Sequence, residues 1–341
     1  MKIIRLTALL AVLLALLMTP TLVLPEDDQP VYVYDYYLPA IMVQYGPPAS
    51  EVIDDLRNVK DFCAVGDGIN DDWSAVQNAL DQADVIHFPP GTYRITKTLE
   101  LHDGERKFLY SEGEAVILWD GVNDSVMLDT SQGGSGIIIE GFSFQSNSEG
   151  TVGIYAGKDL SWGAHTIRNC RFLSLDVGID GGSMMGYTGY AYFDSIIDNC
   201  VFYNNRIAYD SFGSGVKLTN GSIIANDVGI RINSGNAENA SGIFAHGVIF
   251  AGNERDIYIS SYARIHTFNS CWFETSVYGI VTVENGGFDQ GMSFIGCLMD
   301  TSSESLMDLT NLEYGVINIL ASQLTKDNII RPESVEINIG Y

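Results

Sequence analysis

"IRNCRF", Ile167 to Phe172, and "IDNCVF", Ile197 to Phe202, are two copies of one word, I-x-x-C-x-F. The frame continues as "FNSCWF" from Phe268 and "FIGCLM" from Phe294. Slid over the gaps, it also finds "IEGFSF" from Ile139, "LTNGSI" from Leu218 and "AHGVIF" from Ala245. The steps between starts run from 21 to 30 residues. A unit of that length cannot bury its apolar face alone, so a core must come from stacking each unit on its neighbours.

The position before the cysteine holds Gly141, Asn169, Asn199, Asn220, Gly247, Ser270 and Gly296. These residues mostly tolerate a left-handed backbone, so each repeat should bend there. Eight residues after the cysteine position come Gly178, Ala208, Gly229, Asp256, Gly279 and Ser305, followed by Ile179, Tyr209, Ile230, Ile257, Ile280 and Leu306. A second strand should begin at that point. Bend, strand, turn and strand, repeated every ~25 residues, predict an all-β chain wound as a parallel β-helix. An antiparallel sandwich also has turns at regular spacing, but it gives no reason for matching columns.

Cys170, Cys200, Cys271 and Cys297 then share one inward column, with Gly221 and Val248 between the pairs. An exported chain would favour disulfides here. Stacking sets neighbouring Cα atoms about 4.8 Å apart, which a bridge allows, yet it keeps the Cβ vectors parallel, which a bridge does not. Buried thiols are therefore expected, and Cys63, outside the column, leaves the count odd.

Composition fits this reading. Only 18% of the 341 residues are charged and 35 are glycine, as suits strands and turns. A net charge of -25 repels phosphate backbones, so nucleic acid is not a partner; polyanionic glycans meet the same objection unless a cation bridges them. Lys2 and Arg5 precede an apolar run from Leu6 to Met18, the layout of a secretory signal. No A-x-A cleavage site follows, so residues 1–24 read as a signal peptide or an anchor, and the protein touches a membrane only if the segment stays uncleaved. Residues 25–57, rich in Pro, Tyr and acid, read as a linker or extended arm, and 58–341 as the β-helix of an extracellular protein.

The stretch "NVKDFCAVGDGINDDWSAVQNALDQADVIHFPPGTYRITKTLEL", Asn58 to Leu101, resembles the N-terminal opening of the pectate lyase superfamily. That group of right-handed, single-stranded parallel β-helices includes rhamnogalacturonase- and polygalacturonase-like proteins and many phage tailspikes. The resemblance implies that "GDGINDD", Gly66 to Asp72, leads into a short N-terminal helix capping the barrel. Within that helix Ala75, Val76, Ala79 and Leu80 share one face, and Asp72 stands at the N-cap position. Cys63 replaces the family's usual glycine. The paired aspartates and G-H-G and R-I-K signatures of polygalacturonases are missing, as is the W-x-D-H element of pectate lyases, so the resemblance implies fold and substrate class but no catalytic set.

Chemistry is sought on the strand after Gly178, Ala208 and Gly229, where the outward column reads Asp180, Asp210, Arg231, Tyr258, Val281 and Met307. Carboxylates one coil apart would lie ~5 Å from each other, the separation of a retaining glycosidase pair, and mutual repulsion would make one an acid beside a base. Arg231 would serve as charge stabiliser or base. The same pair could hold Ca²⁺ against an acidic sugar, with no other cofactor implied. A surface ladder in which Arg231 merely neutralises Asp210 is the plainer alternative. Being outward, both acids should be replaceable without loss of the fold. The insertion "GSMMGYTGYAYFD", Gly182 to Asp194, brings Tyr187, Tyr190 and Tyr192 beside this column, a wall suited to sugar rings or to a neighbouring subunit. Tyr258 would add to the binding surface.

The column before the bend, Glu140, Arg168, Asp198, Thr219, His246 and Asn269, mixes signs without a cluster. Sequons stand at Asn123, Asn220 and Asn239. Two functions remain in view. One is an exported hydrolase or lyase acting on a polysaccharide; the other is a non-catalytic β-helix that binds a cell-surface glycan. In the second case the tailspike resemblance implies a homo-oligomer, a trimer.

Overall fold

The computed structural model describes residues 56–102, 106–134, 136–156, 165–181, 195–211, 215–232, 242–261, 263–300, 306–320, 322 and 329–340. Tyr187, Tyr190, Tyr192 and the segment before residue 56 lie outside them.

Each repeat contributes three short strands. In one coil these are Thr166–Arg168, Arg171–Leu173 and Val177–Asp180, and in the next Ile196–Asp198, Val201–Tyr203 and Ile207–Ser211. Every strand pairs in parallel with its equivalent one repeat away, as in Ile167↔Ile197, Phe172↔Phe202 and Ile179↔Tyr209. First and second strands join one 20-stranded sheet; third strands form a separate 10-stranded sheet from Leu99–Glu100 to Ile329–Ile330. The chain is a right-handed parallel β-helix, as expected.

All seven residues expected at the bend have positive φ, from Asn199 at 49° to Gly141 at 83°. A second left-handed bend follows the second strand at Ser174, Asn204, Ala225, Gly252 and Thr275. These two bends turn a flat run of alternating residues into a closed coil.

Inside, like stacks on like. Phe144, Phe172 and Phe202, the last letters of successive words, lie face to face at 5.1 and 4.8 Å, and Phe250 and Phe273 repeat the stack at 4.7 Å. All five cysteines are free thiols, four of them buried. A Cβ at Gly221 would sit 2.8 Å from the Cys200 carbonyl oxygen, so this step of the column has no room for a side chain.

Behind the second bend runs a buried amide ladder. The backbone N–H groups of Leu175, Asn205 and Asn226 donate to the Oδ1 atoms of Asn205, Asn226 and Asn253, at 2.9, 2.9 and 3.0 Å. The ladder ends where Asn253 Nδ2 donates to Asp256 Oδ1 at 2.9 Å and Ser276 Oγ donates to the other carboxyl oxygen. Burial pushes the Asp256 carboxyl up to about 7 against these two hydrogen bonds. His165 and His266 serve a different column, accepting from the N–H of Ile137 and Ile243 at 3.1 and 3.2 Å. Burial lowers them to about 4 and about 3, so both are neutral.

At the N-terminal end the helix Trp73–Gln82 lays Val76, Ala79 and Leu80 on the core. Gln77 closes the edge of the 10-stranded sheet of third strands, hereafter the third sheet. Its Nε2 donates to Glu100 O and its Oε1 accepts from Glu100 N, both at 2.9 Å, as a neighbouring strand would. Asp72 does not cap the helix. Its carboxylate accepts from the N–H groups of Val65 and Gly66 at 2.5 and 2.9 Å, and Asp71 Oδ1 accepts from Trp73 N at 3.1 Å instead. Asp72 itself adopts helical φ and ψ, which aims its side chain back at the preceding turn. Cys63, where the resemblance implies glycine, has φ 73°.

Two outcomes follow from the buried polar groups. Asn226→Ala should lower unfolding free energy by about 3 kcal/mol or more in urea titration, because several buried donors and acceptors lose partners together. Asp256 has a raised folded pKa, so its contribution is fully present below the unfolded value of 3.8 and lost as pH rises through about 7. The lowered histidines act oppositely, costing nothing above pH 6.5 and destabilising as pH falls toward 4. Asp256→Asn should therefore melt several degrees higher than the parent at pH 8, with the gap narrowing at pH 5 and closing below 3.8. Parallel melting curves at both pH values would disprove the assignment.

Candidate functional site

In the third strands two adjacent residues such as Gly178 and Ile179 face the core, which leaves the residues on either side of them facing outward. Val177 and Asp180 both face out, as do Ile207 and Asp210. Two parallel columns result. The apolar one, Val152, Val177 and Ile207, joins Tyr155 in a cluster separate from the main core. The polar one runs in direct register through Tyr155, Asp180, Asp210, Arg231 and Tyr258.

The predicted acids are thus brought one coil apart, with Arg231 and Tyr258 on the next two coils. Their surroundings differ from expectation. Asp180 and Asp210 are both 0% exposed, although outward, and Tyr155 is buried beside them. Alternation along a strand separates inside from outside but does not reveal that part of the outer face is itself sheltered. Arg231 grips Asp210 with two hydrogen bonds, Nε to Oδ1 at 2.9 Å and a second from its other nitrogen to Oδ2. Asp210 is therefore part of a buried bidentate ion pair, and the expectation that it is replaceable without consequence for the fold is corrected.

Below Tyr258 the column continues through Thr282 and Asp308, whereas Val281 and Met307 point inward and are fully buried. The predicted column slips by one here because Gly279, eight residues after Cys271, pairs with Arg255, seven after Val248. One extra residue after the second bend, where Tyr278 gives way to Gly279, moves the rest of the third strand over.

Sequence reasoning also missed the arginines flanking this column. Arg206 binds Asp176 at 2.5 and 2.7 Å, and Arg255 lies against Tyr258 and Tyr278. Their signal was an arginine in or just before the third strand of three successive coils, at Arg206, Arg231 and Arg255. Burial, followed by the hydrogen bond and charge of Glu284, pushes the Tyr258 phenol up to about 12, so it stays neutral with its O–H donated to Glu284. The column before the first bend behaves as a surface ladder, with Arg168 donating to Glu140 at 2.7 Å and Thr219 to Asp198 at 2.6 Å.

No group of three or more His, Cys, Asp or Glu that could hold a metal ion is assembled among the described residues. Two cavities inside the coil, one lined by His165, Ser195 and Tyr209, measure about 10 Å³ each, room for about one water and no sugar. No helix among the described residues is long and apolar enough to cross a membrane.

The fold has known counterparts. An iota-carrageenase of family GH82 from A. fortis superposes with a TM-score of 0.53, at 10% identity over 86% of this chain and 94% of that one. ORF18 of Geobacillus virus E2 gives 0.52, at 15% identity over 79% and 62%. Identities this low show the fold alone. In sequence, mannuronan C5-epimerase AlgE6 of Azotobacter vinelandii is 46% identical over 52 residues, 14% of this chain and 6% of that protein. The chain thus spans a small part of the curated relatives it matches. The family model for rhamnogalacturonase A/epimerase, pectate lyase-like, matches residues 56–292. That match covers well over half of the sequence, and the chain belongs to the rhamnogalacturonase A/epimerase family of pectate lyase-like β-helices.

Proposed function

We propose that this protein is an exported carbohydrate-active enzyme that cleaves a polysaccharide by hydrolysis or elimination on the outer face of its third sheet. The observation that carries this reading is the register. Two carboxylates, an arginine and a tyrosine stand on four consecutive coils, about 4.8 Å apart per step. A sugar chain laid along the axis meets Arg231 and Tyr258 at the surface, and reaches Asp180 and Asp210, both fully buried, once what covers them is displaced. Asp180 is the acid or base, Asp210 its partner, and Arg231 the cation that stabilises developing negative charge. Membership in a family named for rhamnogalacturonase and epimerase supports polysaccharide as the substrate class. Epimerisation, like elimination, can begin with removal of a proton beside a carboxylate, so it belongs in the same assay.

A second reading rests on a different observation. Asp180 and Asp210 are shielded, and Asp210 is tied to Arg231, as a purely structural ladder would be. On that reading the protein binds a glycan without turning it over.

Activity on a panel including rhamnogalacturonan, homogalacturonan and mannuronan separates the two. Asp180→Asn and Asp210→Asn should each lower turnover at least about a hundredfold, the scale for losing a positioned acid or base. Asp180→Asn should melt close to the parent. Arg231→Gln takes the counter-charge from a buried carboxylate and should cost about 3 kcal/mol in stability. Loss of activity on chelation, restored by Ca²⁺, would identify elimination with a substrate-completed cation; indifference to chelation would identify acid–base hydrolysis. Full turnover in the Asp180→Asn/Asp210→Asn double variant removes this pair from the mechanism, and no turnover on the whole panel selects the glycan binder. Export is checked by sequencing the N-terminus of protein recovered from the medium.

A further inference from the structure

Arg255 is held in an unusual way for an arginine on this surface. Arg94, Arg168, Arg206 and Arg231 all donate hydrogen bonds to carboxylates. Arg255 instead lies between two rings, its guanidinium carbon 4.6 Å from the Tyr278 centroid and 5.6 Å from that of Tyr258. Its nearest carboxylate oxygen, on Glu254, is 3.9 Å away, beyond hydrogen-bond reach. The guanidinium is therefore held over two aromatic rings, while its N–H donors have no hydrogen-bond acceptor among the described residues.

Exposure adds to this. Tyr278 is 51% exposed and the Arg255 side chain 34%. Tyr258 is steadied from its other end by Glu284 and stacks in register below Arg231. A flat exposed ring beside a rigid, unsatisfied fork is complementary to a pyranose that carries an anionic substituent. The ring face of the sugar covers Tyr278, and the carboxylate or sulfate takes two parallel donors from Arg255. On a chain of net charge -25, a preorganised cation also offsets the general repulsion of such a ligand where the ligand makes contact.

The geometry points to Arg255, Tyr258 and Tyr278 as a binding subsite for an anionic sugar residue, two coils, about 10 Å, beyond Asp210. Its place beside the acid ladder rests on the polysaccharide reading above, but the subsite does not depend on that ladder being catalytic. Glu254 and Glu284 flank it and repel an anion, so a bound anion must sit on the arginine itself.

Titration calorimetry with oligogalacturonate, a sulfated iota-carrageenan oligosaccharide and a neutral cello-oligosaccharide of equal length tests this directly. The anionic oligomers should bind, more weakly as salt is raised, and the neutral one should not. Arg255→Ala and Tyr278→Ala should each weaken binding about tenfold or more, with Arg255→Lys falling between because it keeps the charge but loses the planar fork. Melting curves confirm that these variants fold. Preference for the galacturonate or the sulfated oligomer identifies which anion the fork takes. Binding retained in Asp180→Asn, together with no turnover by the parent, would reject the catalytic reading and leave the subsite standing. Unchanged affinity in both Arg255→Ala and Tyr278→Ala, equal binding of the neutral oligomer, or no binding of any of the three overturns the proposal.

Discussion

Coil-to-coil hydrogen bonding fixes equivalent residues of adjacent repeats about 4.8 Å apart, and most of this structure is a response to that spacing. A side chain in one coil has its own counterpart as its nearest neighbour above and below. Phenylalanines gain from this, because stacked rings fill much of the section of the barrel. Asparagines gain too, since each amide can both donate and accept and so pass the pattern on. Cysteines stack as small apolar groups, with burial holding the Cys200 thiol well above its ordinary range.

Carboxylates do not gain. Acid on acid at that spacing is repulsive, and the fold resolves each case differently. Asp210 sits under Arg231, Asp176 under Arg206, and Glu140 under Arg168. Asp256, inside the barrel with no cation, takes amide and hydroxyl donors and a raised pKa instead. Asp180 stands in register directly above Asp210, and the candidate chemistry is placed on this pair of acids.

The ends of the solenoid pose the converse problem, a coil with no neighbour. At the N-terminus the helix Trp73–Gln82 covers the apolar section, and the Gln77 amide stands in for the missing strand at Glu100. An amide reproduces the donor and acceptor of one peptide unit, so a single side chain satisfies one step of an exposed edge.

Much of this was legible in sequence. Columns of identical residues at matched offsets specified the coils, the first bend and the inward thiols, because stacking makes each repeat constrain the next. They also placed Asp180, Asp210, Arg231 and Tyr258 on one line. The asparagine ladder was equally present, as an Asn five residues after the cysteine position in three successive repeats, but its meaning depends on which offset is buried. Three things required the tertiary structure. The one-residue slip before Gly279 is invisible until the partner strand fixes the register. The shelter over Asp180 and Asp210 depends on what lies above an outward face, which alternation does not encode. The clamp on Arg255 joins Tyr258 on its own strand to Tyr278 on the following coil, and sequence separation gives no measure of such a contact. Periodicity determines where a residue points along its own coil; only the folded chain decides what meets it there, because that neighbour comes from a different stretch of sequence.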